Sequence, residues 1–140
     1  RHRAILMLDK SGHVVGKLSL LDVLKSLEPK YQDMIQGVGS QRFGFTKKFM
    51  QSMLEDYSLF ANPLDDICRK AGEQPVRNFM HTPTEGEYIS EAATLEVAIH
   101  QLIMGQHQSL LVTRDKKIVG ILRLTDVFAA VFHKMKECFL

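Results

Sequence analysis

This 140-residue sequence predicts an α+β fold built from two copies of one supersecondary unit. The stretch HVVGKLSLLDVL recurs without a gap as KIVGILRLTDVF, so that Val15, Gly16, Leu18, Leu20, Asp22 and Val23 return as Val119, Gly120, Leu122, Leu124, Asp126 and Val127. Each copy reads as apolar strand, polar turn, apolar strand and helix. Between the copies lies a segment of helical periodicity, longer than a simple linker needs.

In the first copy, Ala4 to Leu8 is expected to form a buried strand, Asp9-Lys10-Ser11-Gly12 a turn and His13 to Leu18 a second strand. Ser19 opens a helix, because Ser19-Leu20-Leu21-Asp22 has capping-box spacing and apolar residues follow at Val23, Leu24 and Leu27. Pro29 is expected to end or bend that helix. Beyond it, Gly37-Val38-Gly39-Ser40 reads as a flexible joint and Phe45 to Phe60 as an amphipathic helix. A further helix spans Asn62 to Lys70, with Asn62 as N-cap and Pro63 at the first helical position. The second copy is preceded by an extended piece at Glu87-Tyr88-Ile89 and a helix from Thr94, with Gly105 as its stop signal. It continues with Leu110 to Val112, the turn Thr113-Arg114-Asp115-Lys116, the strand Lys117 to Leu122 and a helix from Leu124 to Lys136. The first copy supplies only the last three parts of this strand, helix, strand, strand, helix order. An opening strand and helix are therefore expected before Arg1.

Composition is that of an ordinary globular protein, 45% hydrophobic and 24% charged. A net charge of +2 gives no electrostatic reason to expect nucleic acid or an anionic membrane as partner. No apolar run approaches the roughly 20 residues that cross a bilayer. Cys68 and Cys138 have neither metal-ligand nor redox spacing, so a cytoplasmic location with reduced thiols is expected. The sequence has no Walker phosphate loop, no metal-binding spacing among its histidines and no defensible Ser-His-acid order. No catalytic or metal-ligating residue is assigned.

The repeated Val-Gly-x-Leu-x-Leu-x-Asp motif, with the surrounding elements in order, resembles a tandem pair of CBS (cystathionine-beta-synthase) domains, the regulatory unit called a Bateman module. Val76-Arg77-Asn78-Phe79-Met80 looks like the lead-in to a second CBS repeat. On this resemblance, residues 1–29 are the C-terminal half of a first repeat, 30–75 a helical inter-repeat segment and 76–140 the second repeat. The resemblance implies a regulatory ligand-sensing module, not an enzyme, that binds an adenosyl ligand in the cleft between repeats. AMP, ADP, ATP and S-adenosylmethionine are the candidate ligands, no cofactor is required, and a homodimer is implied.

Carried over by position, Asp22 and Asp126 are the ribose contacts, because an acidic residue in the first helical turn can accept hydrogen bonds from both hydroxyls. Ser19 matches the phosphate-contacting hydroxyl, at the positive end of a helix. Arg123 stands at the equivalent place in the second repeat, where it can clamp a phosphate or fill the pocket. His107 and Arg3 resemble the basic position before the second strand in energy-sensing kinase gamma subunits, and Tyr88 and Ile89 match the edge that meets the base. Leu6 and Leu110 replace the family's usual proline.

Each of these residues also has a plain structural reading. Ser19 and Asp22 are fully explained as a capping box, Arg123 as a solvated arginine, His107 as a loop residue and Arg3 as a solvated terminal residue. The alternative function is accordingly a structural or dimerisation module with a degenerate nucleotide cleft. An enzyme or transporter domain elsewhere in a longer protein fits either.

Overall fold

The chain, described by a computed structural model over residues 4–38 and 45–139, falls into two compact units, Arg1–Thr82 and Pro83–Leu140. Arg3 lies outside the described residues.

In the first unit, β1 (Ala4–Leu8) and β2 (Val14–Ser19) form an antiparallel hairpin with Ala4 opposite Ser19. Its turn is held by the Asp9 carboxylate, which accepts the N–H groups of Ser11 and His13 at 2.9 Å each. The His13 bond foremost holds the Asp9 pKa below its ordinary value. Gly12 supplies the positive φ of 83° that closes the turn.

Helix α1 (Leu20–Ser26) starts at the expected capping box. Pro29, expected to end or bend this helix, lies beyond its end. The helix ends at Ser26, and Pro29 sits in the lead turn of an unforeseen helix, α2 (Lys30–Val38), where its missing N–H costs nothing. Gly37 and Val38 of the expected joint are helical, while Gly39 and Ser40 lie outside the described residues. Helix α3 (Lys47–Asp56) is shorter than the expected Phe45 to Phe60. Thr46 caps it, and the chain leaves it through Ser58 and Phe60, both left-handed at φ of 51° and 55°. Such non-glycine residues cost on the order of 1–3 kcal/mol each and persist where neighbours hold them. Helix α4 (Leu64–Gly72) corrects the Asn62 assignment, because Pro63 itself holds the N-cap place, with an extended ψ of 143° and no side-chain bond.

After a short turn at Val76–Asn78, the chain reaches β2 again. Lys17 and His81 exchange both backbone hydrogen bonds at 2.8 Å. The pairing brings Met80 over Gly16, where an added Cβ would overlap the Met80 sulfur and come 2.9 Å from its Cγ. A side chain at Gly16 would therefore force the Met80 side chain to move.

The second unit is a three-stranded sheet of β3 (Tyr88–Ser90), β4 (Ser109–Arg114) and β5 (Lys117–Arg123), with β4 central, parallel to β3 and antiparallel to β5. Helices α5 (Leu95–Gly105) and α6 (Leu124–Phe139) pack on it. Ile89, Ala98, Leu102, Leu110 and Val127 form its core, and Leu110 and Leu111 are fully buried. Two sequence expectations shift by a residue or two. Gln106, not Gly105, takes the left-handed helix stop, at φ 51°. Gly105 serves another purpose, since a Cβ there would collide with the His107 ring. The β4–β5 turn is just Asp115-Lys116, both left-handed as a two-residue hairpin demands, and Thr113 and Arg114 belong to the strand.

Cys68 and Cys138 are exposed free thiols. Among the described residues no helix is long and apolar enough to cross a membrane, and no three His, Cys, Asp or Glu side chains are placed to hold a metal ion.

Candidate functional site

Asp22, in the first turn of α1, lies at a cleft of about 540 Å³ whose lining comes wholly from the first unit. The volume falls within the range of small-molecule sites. Pro29, Ile35, Phe79 and Met80 give the cleft apolar surface, while Lys25, Gln32, Asn78 and His81 bring polar groups. Lys25 and Ser26 reach it because they follow Asp22 by three and four residues on the same helical face. Met80 and His81 arrive through the bridge to Lys17.

The capping box decides which Asp22 atoms remain for a ligand. The Ser19 N–H and hydroxyl both donate to Oδ2, at 2.8 and 2.7 Å, and the Asp22 N–H donates back to the Ser19 Oγ at 3.2 Å. Among the described residues Oδ1 receives no donor. Ser19 does not line the cleft, and its hydroxyl is engaged by Asp22.

The second unit gathers its candidates at one end of the sheet. Tyr88 begins β3, His107 lies two residues before β4, and Arg123 ends β5 opposite Ser109. The Leu124 N–H donates to the Gln108 carbonyl at 2.8 Å, tying the start of α6 to the loop beside His107. Here the expected ligand groups already have partners. The Asp126 Oδ2 accepts the Arg123 backbone N–H at 3.0 Å and its Nε at 2.9 Å, and Oδ1 accepts Nη2 at 2.6 Å. Without a serine at position 123 the reciprocal capping box cannot form, yet half of it survives, as the Asp126 carboxylate still accepts the Arg123 backbone N–H. The Arg123 side-chain hydrogen bond is the main cause that holds the Asp126 pKa below its ordinary value.

The base edge is similarly engaged. Gln101 Nε2 donates to the carbonyls of Gly86 and Tyr88 at 3.0 and 2.9 Å, and the Ile89 carbonyl accepts from Thr113 Oγ1 at 3.3 Å. Ile89 is a core residue. His107 is half-buried against Gly105.

Sequence reading missed Lys25, Gln32, Phe79 and His81 as companions of Asp22. Helical spacing could have supplied Lys25; the others need the fold, because α2 and the His81 bridge bring them in from a distance.

Residues 76–133 match the CBS domain family model. A search of curated proteins finds no match. Among solved structures, a CBS-domain containing protein from Agrobacterium tumefaciens superposes with a TM-score of 0.58 at 15% identity, covering 93% of this chain and 68% of that one. A CBS domain-containing protein of unknown function from Kribbella flavida gives 0.54 at 18%, covering 94% and 78%. The protein CBSX2, solved in complex with AMP, gives 0.55 at 18%, covering 96% and 74%. At these identities the structural matches speak for the fold. Residues 76–133 thus match the CBS domain family model, and the chain has, over nearly its whole length, the α+β fold of CBS-domain proteins.

Proposed function

We propose that this chain is a regulatory module that binds an adenine nucleotide in the Asp22 cleft. Residues 1–29 are read as the C-terminal half of a first CBS repeat, 30–75 as a helical segment and 76–140 as the second repeat. The observation that carries the reading is the Asp22 carboxylate, with Oδ2 held by Ser19 and Oδ1 without a protein donor among the described residues, at a cleft of about 540 Å³ with both apolar and basic lining. Ribose hydroxyls are donors that a half-satisfied carboxylate accepts. Phe79, Met80, Pro29 and Ile35 offer apolar surface to a base, and Lys25 a positive charge to a phosphate. The AMP complex of CBSX2, a structural neighbour, supports the ligand class.

The regulatory role follows from linkage. A bound nucleotide shifts the module between arrangements only as far as it binds one better than the other. Isothermal titration of the chain with AMP, ADP, ATP and S-adenosylmethionine tests the reading. Saturable binding by one of them, lost in Asp22→Ala, is expected; no binding by any of the four would overturn it.

A dimerisation module is the second reading, carried by α6. Phe128, Phe132, Met135 and Phe139 are exposed on it, Phe128 and Phe132 stacking at 6.2 Å between ring centroids. Sedimentation velocity of wild type and Phe128→Asp checks it, a dimer that dissociates in the variant being the expected result.

A further inference from the structure

A second cavity of about 270 Å³ shares lining residues with the Asp22 cleft and is lined also by the turn that follows α3 and by helix α4. Ser26, Pro29 and Gln74 line both cavities, so the corner between α1 and α2 is a wall common to the two. This corner also grips the turn after α3. Lys30 Nζ donates to the carbonyls of Tyr57 and Ser58 at 2.8 and 3.3 Å, and Glu28 Oε1 accepts the Phe60 N–H at 3.1 Å. The Tyr31 ring meets Phe60 edge-on at 6.0 Å. The gripped turn is the one in which Ser58 and Phe60 hold left-handed φ, a conformation that neither residue favours when released.

We infer that the α1–α2 corner couples the two sides, so that the α3–α4 segment reads whether the Asp22 cleft is occupied. The inference rests on the nucleotide reading above. A ligand against Ser26 and Pro29 fixes the corner, and the corner presents Glu28 and Lys30 to the turn. Occupancy therefore favours the gripped turn, and the gripped turn favours occupancy. Coupling of this kind is reciprocal. The factor by which nucleotide steadies the turn equals the factor by which the grip tightens nucleotide binding.

Hydrogen exchange over residues 57–62, with and without saturating AMP, tests the coupling on the wild-type chain. Exchange is expected to slow by about fivefold or more, the lower end of measured allosteric couplings. Titration of Lys30→Ala with AMP is expected to show a Kd raised by a comparable factor, with Lys30→Arg restoring most of it. Unchanged exchange in a chain that binds AMP in an Asp22-dependent way overturns the coupling and leaves the nucleotide reading standing. No AMP binding by the wild-type chain overturns the coupling together with its AMP premise. Should Lys30→Ala fail to fold, the wild-type exchange result decides alone.

Discussion

Ser19 and Asp22 in the first unit hold the same places in the repeated motif as Arg123 and Asp126 in the second, and the two carboxylates end in different states. With serine at the cap, one oxygen of Asp22 takes both Ser19 donors and the other accepts no protein donor among the described residues, in a residue that lines a cleft. With arginine there, a planar fork reaches both oxygens of Asp126 and closes them. The glycines differ in parallel. Gly16 is covered by Met80, whereas a Cβ on Gly120 would touch nothing within 4 Å. One motif thus builds a half-open acceptor in one setting and a self-satisfied ion pair in another. A shared aspartate alone does not make two equivalent sites.

The largest expected effect contrasts the first strands of the two hairpins: β4 is buried from Ser109 to Leu111, whereas β1, expected from the sequence to be buried, is half-buried or exposed throughout. Leu110 is fully buried and its counterpart Leu6 only partly. Leu110→Ala should cost about 2–5 kcal/mol, and Leu6→Ala distinctly less, as read by chemical denaturation of each variant. Equal losses would mean that the two hairpins carry equal shares of core. Next come the glycines: Gly16→Ala, forced against Met80, is expected to cost about 1–3 kcal/mol. Gly120→Ala should stay within about 1 kcal/mol of wild type. A double variant that adds Met80→Ala should recover part of the Gly16→Ala loss.

For ligand binding, Asp22→Ala should weaken AMP at least about tenfold, as loss of a hydrogen bond to a charged group does, while Asp126→Ala leaves it unchanged. Arg123→Ser sharpens the same contrast, because it restores the box and releases Asp126. Titration should then find a second, weaker AMP per chain. Stoichiometry unchanged at one would show that the engaged Tyr88 and Ile89 carbonyls close the second place by themselves.

The smallest effect is electrostatic. The Arg123 side-chain hydrogen bond foremost, with its backbone N–H, lowers the Asp126 pKa below the ordinary aspartate value. A lowered folded pKa means that the pair stabilises the fold above the ordinary aspartate value and that this contribution fades as pH falls through the lowered one. Carboxyl-carbon NMR should place the Asp126 midpoint below the ordinary aspartate value in wild type and closer to that value in Arg123→Ser.

The hairpins, the Ser19 cap and helices α1, α5 and α6 were legible because each is written locally, in alternation, cap spacing and apolar periodicity. Helix α2 was not, since a proline reads as a terminator whether it ends one helix or begins the next. Nothing local predicts that His81 pairs with Lys17, because an isolated bridge has no period. For the same reason Gly16 was read as a motif residue before Met80 gave it a steric reason. At Arg123 the sequence offered a phosphate clamp or a plug, and the partner it has is its own neighbour three residues on.

The two cysteines, Cys68 in the first unit and Cys138 in the second, are both free and exposed. Each compact body therefore bears one native attachment point for a spin label or fluorophore, with no engineered thiol needed. A doubly labelled chain becomes its own ruler, and the distribution of distances between the labels reports how the bodies are arranged before and after nucleotide is added.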